Sequence, residues 1–227
     1  MNVGCGPQAI DACGDGATLV WWARSVMCSR VAARGANLNT MTPEQAAAAL
    51  LEAAGLHDLA APPVDALHLA EEHDGLDVQE HADLLTLPGA PALAAGSTLS
   101  GLLFPAERRI YVNAVEAQRS PGRRNFTIAH ELGHWHLHRS RGADGHARFC
   151  RSDDVGADSR AVSDAARIER EANRFAAALL MPEALVRDQA SQLRLHVSVM
   201  AQRFGVSNLA MRVRLESLGM LPDYMRR

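Results

Sequence analysis

The pattern of apolar and polar positions divides the chain into helical segments around one short β-region. Glu44 to Ala54 is an alanine-rich helical run, opened by Thr42-Pro43 and closed at Gly55. Pro62-Pro63 marks a loop, and Val64 to His73 follows as a second helix with Val64, Leu67 and Leu69 among its apolar positions. Leu76 to His81 alternates as a strand does. After a linker over 82–97 that holds Pro88 and Pro91, Gly101 to Phe104 and Arg109 to Asn113 form a predicted hairpin across Pro105-Ala106-Glu107. Pro121-Gly122 introduces a helix that runs on through Leu132, Trp135 and Leu137. A polar, glycine-containing stretch from Ser140 to Asp164 separates it from a strong helix, Glu169 to Met181, which stops at Pro182. Val199 to Phe204, the turn at Gly205, the cap at Ser207 and a helix from Asn208 to Leu218 then give the punctuation of a helix-turn-helix. The expected fold class is α+β: a mostly helical body, a small and largely antiparallel sheet containing Arg109 to Asn113, and a C-terminal helix-turn-helix-like appendix.

Length adds a domain plan. The 227 residues allow one main domain, large enough to bury a real core, with a small appendix. Residues 1–40, with their scattered glycines and the isolated Trp21-Trp22 pair, are expected to be a weakly structured extension or the product of a start codon placed too far upstream. Residues 41–185 form the expected main domain and 186–227 the C-terminal helical segment. Loops as long as 140–164 are uncommon inside compact domains, and this one is expected to rim the functional site.

Charge and cysteine usage narrow the function classes. Formal net charge is −3, so nothing global points to nucleic acid. The C-terminal segment from Val186 carries seven arginines against three acids. However, the chain contains no lysine, so arginine clusters reflect codon bias as much as function, and Val213, Leu215 and Leu218 commit part of the last helix to packing. Direct DNA binding is therefore not the expectation, and a structural or substrate-docking role is. Cys5, Cys13, Cys28 and Cys150 match no zinc ribbon and suggest no disulfide scaffold. Cys150, between the two strongest helices, is expected to be a small apolar loop residue rather than an inhibitory thiolate on a metal. No stretch is long and apolar enough to span a membrane, and the first residues lack the basic start of a signal peptide. A cytoplasmic protein without membrane contact is expected.

Candidate chemistry concentrates in His130-Glu131-Leu132-Gly133-His134, an H-E-x-x-H motif in the helix that follows Pro121-Gly122. Residues four apart lie nearly above one another on a helix, so both imidazoles can grip one ion from one face. Glu131 can then reach water in the open coordination position. A hydrolytic zinc needs a third protein ligand, and a downstream helical Glu can supply it. Glu169 and Glu171, two apart, point in widely different directions. Glu171 shares a face with Arg174, Phe175 and Ala178, the face expected to pack inward, so it is the expected ligand and Glu169 is expected in solvent or a surface pair.

These segments resemble a known family. RRNFTIAHELGHWHLHR, EREANRFAAALLMP and MAQRFGVSNLAMRVRLESLGML, preceded by SGLLFPAERRIYVN where the family has a strand pair, are similar to ImmA/IrrE-type metallo-endopeptidases over about residues 44–221. The resemblance implies a zincin-like fold, one zinc held by His130, His134 and Glu171, and Glu131 as catalytic base. Another divalent ion such as Mn2+ is compatible. It also implies hydrolysis of a peptide bond in a protein, a helix-turn-helix transcriptional repressor being the expected partner, by metal-activated water.

The oxyanion donor is not named by the sequence; Tyr111, His138 and His146 qualify by residue type, and His138 better suits a supporting role behind the metal. The strand Arg109 to Asn113, if an edge near the cleft, would hold substrate backbone. Two rival readings are a transcription regulator with a non-catalytic metal site and a toxin–antitoxin or phage-repressor partner acting by binding. An intact Glu131 argues against both, because binding alone does not require it.

Overall fold

The computed structural model describes residues 41–56, 61–91, 98–138, 148–151 and 164–221. The expectations for residues 1–40, for His146 and for most of the 140–164 loop lie outside the described residues. Helix α1 (Pro43–Ala53) begins at a capping box, in which Thr42 Oγ1 accepts from the Gln45 amide and Gln45 Oε1 accepts from the Thr42 amide. The short α2 (Ala66–His68), capped by Asp65, runs on as a π-helical turn over Leu69–His73, so the second expected helix forms with its last turn widened. Strands β1 (Asp77–His81), β2 (Leu99–Phe104) and β3 (Arg109–Asn113) form where the sequence places them, with β2 starting two residues earlier than expected and buried throughout. Asn113 ends β3 and its side chain caps α3 (Ala114–Arg119), a helix too short to show a period of its own. Then come α4 (Pro121–His138), β4 (Arg148–Arg151), α5 (Asp164–Leu180), α6 (Glu183–Gln192), α7 (Val197–Phe204) and α8 (Asn208–Ser217).

The sheet order is β1-β3-β2-β4. β2 is antiparallel to both β3 and β4, while β1 joins β3 in parallel, with Val78 opposite Ile110. The mostly helical α+β expectation holds, and the sheet is mixed. One consequence corrects the sequence reading: β3 is not an edge, because β1 covers the side that the hairpin leaves free. The edges are β1 and β4.

One face of the sheet builds the main core. Leu103, Ile110 and Val112 pack with Ile128 and Leu132 of α4 and with Phe175 and Leu179 of α5, all essentially buried. The opposite face carries a smaller cluster of Leu84, Leu99, Leu102 and Phe104, with Tyr111 against it. Tyr111 alternates with Ile110 and Val112 and thus points away from α4. Its ring stands edge-on to Phe104, with centroids 5.7 Å apart.

Helix α4 is the central element. Asn125 anchors its first half, accepting from the Ala66 amide at 2.9 Å and donating to the Val64 carbonyl at 2.8 Å. His136 anchors its second half through Asp74, at 2.7 Å, and stacks on Phe175. The turn expected between α7 and α8 is present: Gly205 takes φ +64° and Ser207 Oγ accepts from the Ala210 amide. Met200, Phe204, Met211 and Leu215 of these helices are fully buried in the main core, so the C-terminal segment shares one interior with the H-E-x-x-H helix. None of the described helices is long and apolar enough to cross a membrane.

The Gly205 turn rests directly on the start of α4. A Cβ at Gly122 would lie 2.5 Å from the Gly205 carbonyl oxygen, a backbone atom that cannot swing aside. Gly122→Ala is expected to lower stability by about 1–3 kcal/mol, despite alanine's better helix propensity, measured as a fall in the denaturant midpoint. An unchanged or raised midpoint would contradict this contact.

Candidate metal centre

Helix α4 carries His130, Glu131 and His134 inward, and all three are fully buried. The two imidazoles face each other as the four-residue spacing requires, with Nε2 atoms 3.0 Å apart. The third member of the cluster is Glu169 of α5. Its Oε2 lies 3.2 Å from His130 Nε2 and its Oε1 3.3 Å from His134 Nε2. His130, His134 and Glu169 are the grouping among the described residues able to hold a metal ion. Ligands spaced around a tetrahedral ion at zinc–nitrogen and zinc–oxygen bond lengths lie roughly 3.3–3.5 Å from one another. Separations of 3.0–3.3 Å fit that set.

Glu169, rather than the Glu171 expected from the sequence, is therefore the carboxylate grouped with the two histidines in this candidate site. The reason is where the helices touch. A Cβ at Gly133 would lie 3.0 Å from the Ala172 Cα, so α4 and α5 cross at these two residues. Glu169 sits one turn before Ala172, on the side turned to α4, whereas Glu171 lies about 200° round the helix from Glu169. Phe175 and Ala178 are buried, as expected, but so are Ala172 and Ala176, and the inward stripe is centred on the latter pair. Asn173, four residues after Glu169, completes the row: its Oδ1 accepts from His130 Nδ1 at 2.9 Å. This fixes the tautomer that leaves His130 Nε2 free to ligate.

Glu171 has a different place, behind His134. His134 Nδ1 lies 3.3 Å from His138 Nδ1, and His138 Nε2 lies 2.9 Å from Glu171 Oε2. Arg167 donates to the other oxygen of Glu171 at 2.7 Å. One proton assignment satisfies the whole chain. His134 donates from Nδ1 to His138, His138 donates from Nε2 to Glu171, and His134 Nε2 stays a ligand. The supporting role expected of His138 is thus the one its geometry serves, and that geometry does not aim it at an oxyanion.

Burial sets the electrostatics. Desolvation pushes Glu131 up to about 8, partly opposed by His130 and reinforced by Glu169. Desolvation likewise brings His134 down to about 4, so its imidazole is neutral and able to ligate at neutral pH. Burial also works against the charge on Glu169, but hydrogen bonds to His130 and His134 outweigh it and hold the carboxyl at about 2. Among the described residues, neither oxygen of Glu131 has a hydrogen-bond partner. The wall beside it is backbone: a Cβ at Gly101 of β2 would meet Glu131 Oε1 at 2.6 Å and Thr127 Cγ2 at 2.5 Å.

Of the residues singled out from the sequence, His130, Glu131 and His134 come together as expected. Glu171 and His138 lie one layer back, and Tyr111 is on the far face of the sheet. Cys150 lies in β4, its backbone opposite Gly101, and its side chain is outside the described residues. The sequence reading passed over Asn173 and Gly101. The four-residue spacing of Glu169 and Asn173, which repeats that of the two histidines, was an available signal.

A helix-borne pair of histidines with an intervening glutamate, closed by a glutamate from a second helix, defines a metallopeptidase-type centre. The chain belongs to the family of the IrrE N-terminal-like domain, Peptidase M78, which it matches over residues 92–216. No curated protein matches it. Among solved structures it is similar to a Mycobacterium tuberculosis transcriptional regulator, with 20% identity and a TM-score of 0.49. That similarity covers 77% of this chain and 46% of the regulator's chain, so the protein spans about half the regulator's length.

The raised pKa of Glu131 carries a stability consequence for metal-free protein. A carboxyl with a folded pKa above its unfolded value contributes stability that is complete below about 4.5 and is lost as pH rises through about 8. Wild-type apoprotein should therefore lose stability between those limits, by a few kcal/mol at most. Glu131→Gln should flatten this slope in pH-dependent urea unfolding; an identical slope in the two proteins would contradict a buried, neutral Glu131.

Proposed function

We propose that the protein is a metal-dependent endopeptidase that hydrolyses a peptide bond in a protein substrate, with a helix-turn-helix transcriptional repressor as the expected target. The observation that carries the reading is Glu131: a fully buried carboxyl with no partner for either oxygen among the described residues, set between the two histidines of a ligand triad. Burying such a group without a hydrogen bond costs stability, and a structural metal site has no use for it. Proton transfer does. Membership of the peptidase family supports the same assignment.

His130, His134 and Glu169 are the residues that would hold the ion, zinc by their donor set, with Mn2+ also compatible. When bound, such an ion supplies a Lewis acid that acidifies water and polarises a peptide carbonyl. The chain's own residues supply the rest. Glu131 takes a proton from the attacking water and passes it to the leaving amine. Asn173 and the His138–Glu171–Arg167 chain keep the two imidazoles in the ligating tautomer. The Gly101 backbone confines the Glu131 carboxyl to one side, so that it cannot swing toward the sheet.

Substitutions separate these roles. Glu131→Gln should retain one zinc per chain by elemental analysis while cleavage of the cognate repressor falls by orders of magnitude. Full release of repression in cells by that variant would overturn the enzymatic reading and leave a binding function.

Glu169→Gln and Glu171→Gln should differ in kind. The first loses the metal. The second keeps it, with affinity weakened roughly tenfold to a hundredfold as supporting residues typically give. Zinc competition titration checks the order, and the reverse order would restore Glu171 as the ligand.

A further inference from the structure

A cavity of about 600 Å³ lies on the other side of α5 from the sheet, between α1, α5 and α8. Its volume falls within the range of small-molecule sites, and its apolar lining includes Leu51, Phe126, Ala177 and Leu218. Among its polar lining residues, Arg214 stands out. Arg214 is 6% exposed, and among the described residues its one side-chain hydrogen bond runs from Nε to the Met181 carbonyl at 3.0 Å. Two carboxylates also line the cavity, but both are engaged elsewhere. Glu44 takes a two-pronged contact from Arg174 at 2.9 and 3.0 Å, and Glu183 pairs with Arg187 at 2.7 Å. Both act on Arg214 through space without reaching ion-pair distance. Among the described residues, the terminal amino groups of Arg214 thus make no hydrogen bond or ion pair. Those amino groups face the cavity, and the partial burial of the guanidinium draws its pKa below the ordinary arginine value.

We propose that this cavity is a binding site for a small apolar monocarboxylate, whose carboxylate is held by Arg214 and whose hydrocarbon body lies along Leu51, Phe126 and Ala177. The charge balance favours one negative charge, since among the described residues lining the cavity Arg174 is paired with Glu44 and Arg214 has no ion-pair partner. The planar fork of a guanidinium matches two carboxylate oxygens, and the Nε contact to Met181 already fixes the plane of that fork. The site is independent of the metal chemistry but not remote from it. Asn173 lines the cavity and its Oδ1 is the acceptor for His130 Nδ1, so a bound ligand sits one side chain away from a metal ligand.

Decanoate and decan-1-ol, compared by calorimetry on the full chain below their aggregation concentrations, test the assignment. Wild type should bind decanoate roughly tenfold to a hundredfold more tightly than the alcohol, the range expected for hydrogen bonds to a charged group. Arg214→Met should erase that preference while keeping affinity for the alcohol. Ala177→Phe, which fills the cavity from a partly exposed position, should abolish binding of both. If Arg214→Met does not fold by circular dichroism, the wild-type preference and Ala177→Phe decide the matter. No decanoate binding by wild type, equal affinity for acid and alcohol, or undiminished binding by Ala177→Phe would each overturn the proposal. None of these readouts depends on peptidase activity.

Discussion

The closeness of α4 and α5 at Gly133 and Ala172 is the contact on which the site depends. With a hydrogen in place of a side chain at Gly133, the two backbones meet with almost no gap. That spacing brings a side chain as short as glutamate from α5 to both imidazoles of α4, and lets Asn173 reach the far nitrogen of His130. A bulkier residue at either position would move the helices apart by more than a hydrogen bond can absorb. The glycine inside H-E-L-G-H thus serves geometry between helices, while its neighbours serve chemistry.

Much of this arrangement was legible in the sequence because helical periodicity is local. The four-residue spacing of His130 and His134 fixes their shared face whatever else the chain does, and Glu131 inherits its place from them. The hairpin, the Pro121 helix start and the Gly205 turn were likewise announced by residues with specific backbone demands. What the sequence did not reveal is which of two inward-leaning faces of α5 is the one turned to α4. Glu171 leans with Phe175 and Ala178, Glu169 with the Ala172–Ala176 pair on which the buried stripe is centred, and hydrophobicity alone weights the larger side chain. Contact by small residues carries no such signal, so Glu171 was favoured over Glu169. The parallel pairing of β1 with β3 was hidden for a related reason, since pairing over thirty residues of sequence leaves no local mark.

The centre is supported in layers drawn from different elements. The candidate ligands come from two helices, the buried Glu131 carboxyl from one of them, and the confining wall from a strand. Behind the ligands, each imidazole has its own acceptor: a neutral amide for His130, and for His134 a second imidazole that leads to a carboxylate and an arginine. The two histidines are therefore not equivalent electronically. The one backed by the charged chain is the better electron donor, which biases the field across the cluster from the His134 side toward the His130 side.

The last two helices pass their apolar faces into the same interior as the H-E-x-x-H helix, and the turn between them lies against that helix's first residues. Seen as evolutionary material, this pair is not a detachable module. Recombination that exchanged it for another terminal segment would have to replace Met200, Phe204, Met211 and Leu215 with side chains of matching shape, or lose the scaffold under the metal ligands. Diversification in such proteins is thereby steered toward the outward faces of these helices and away from swapping them whole.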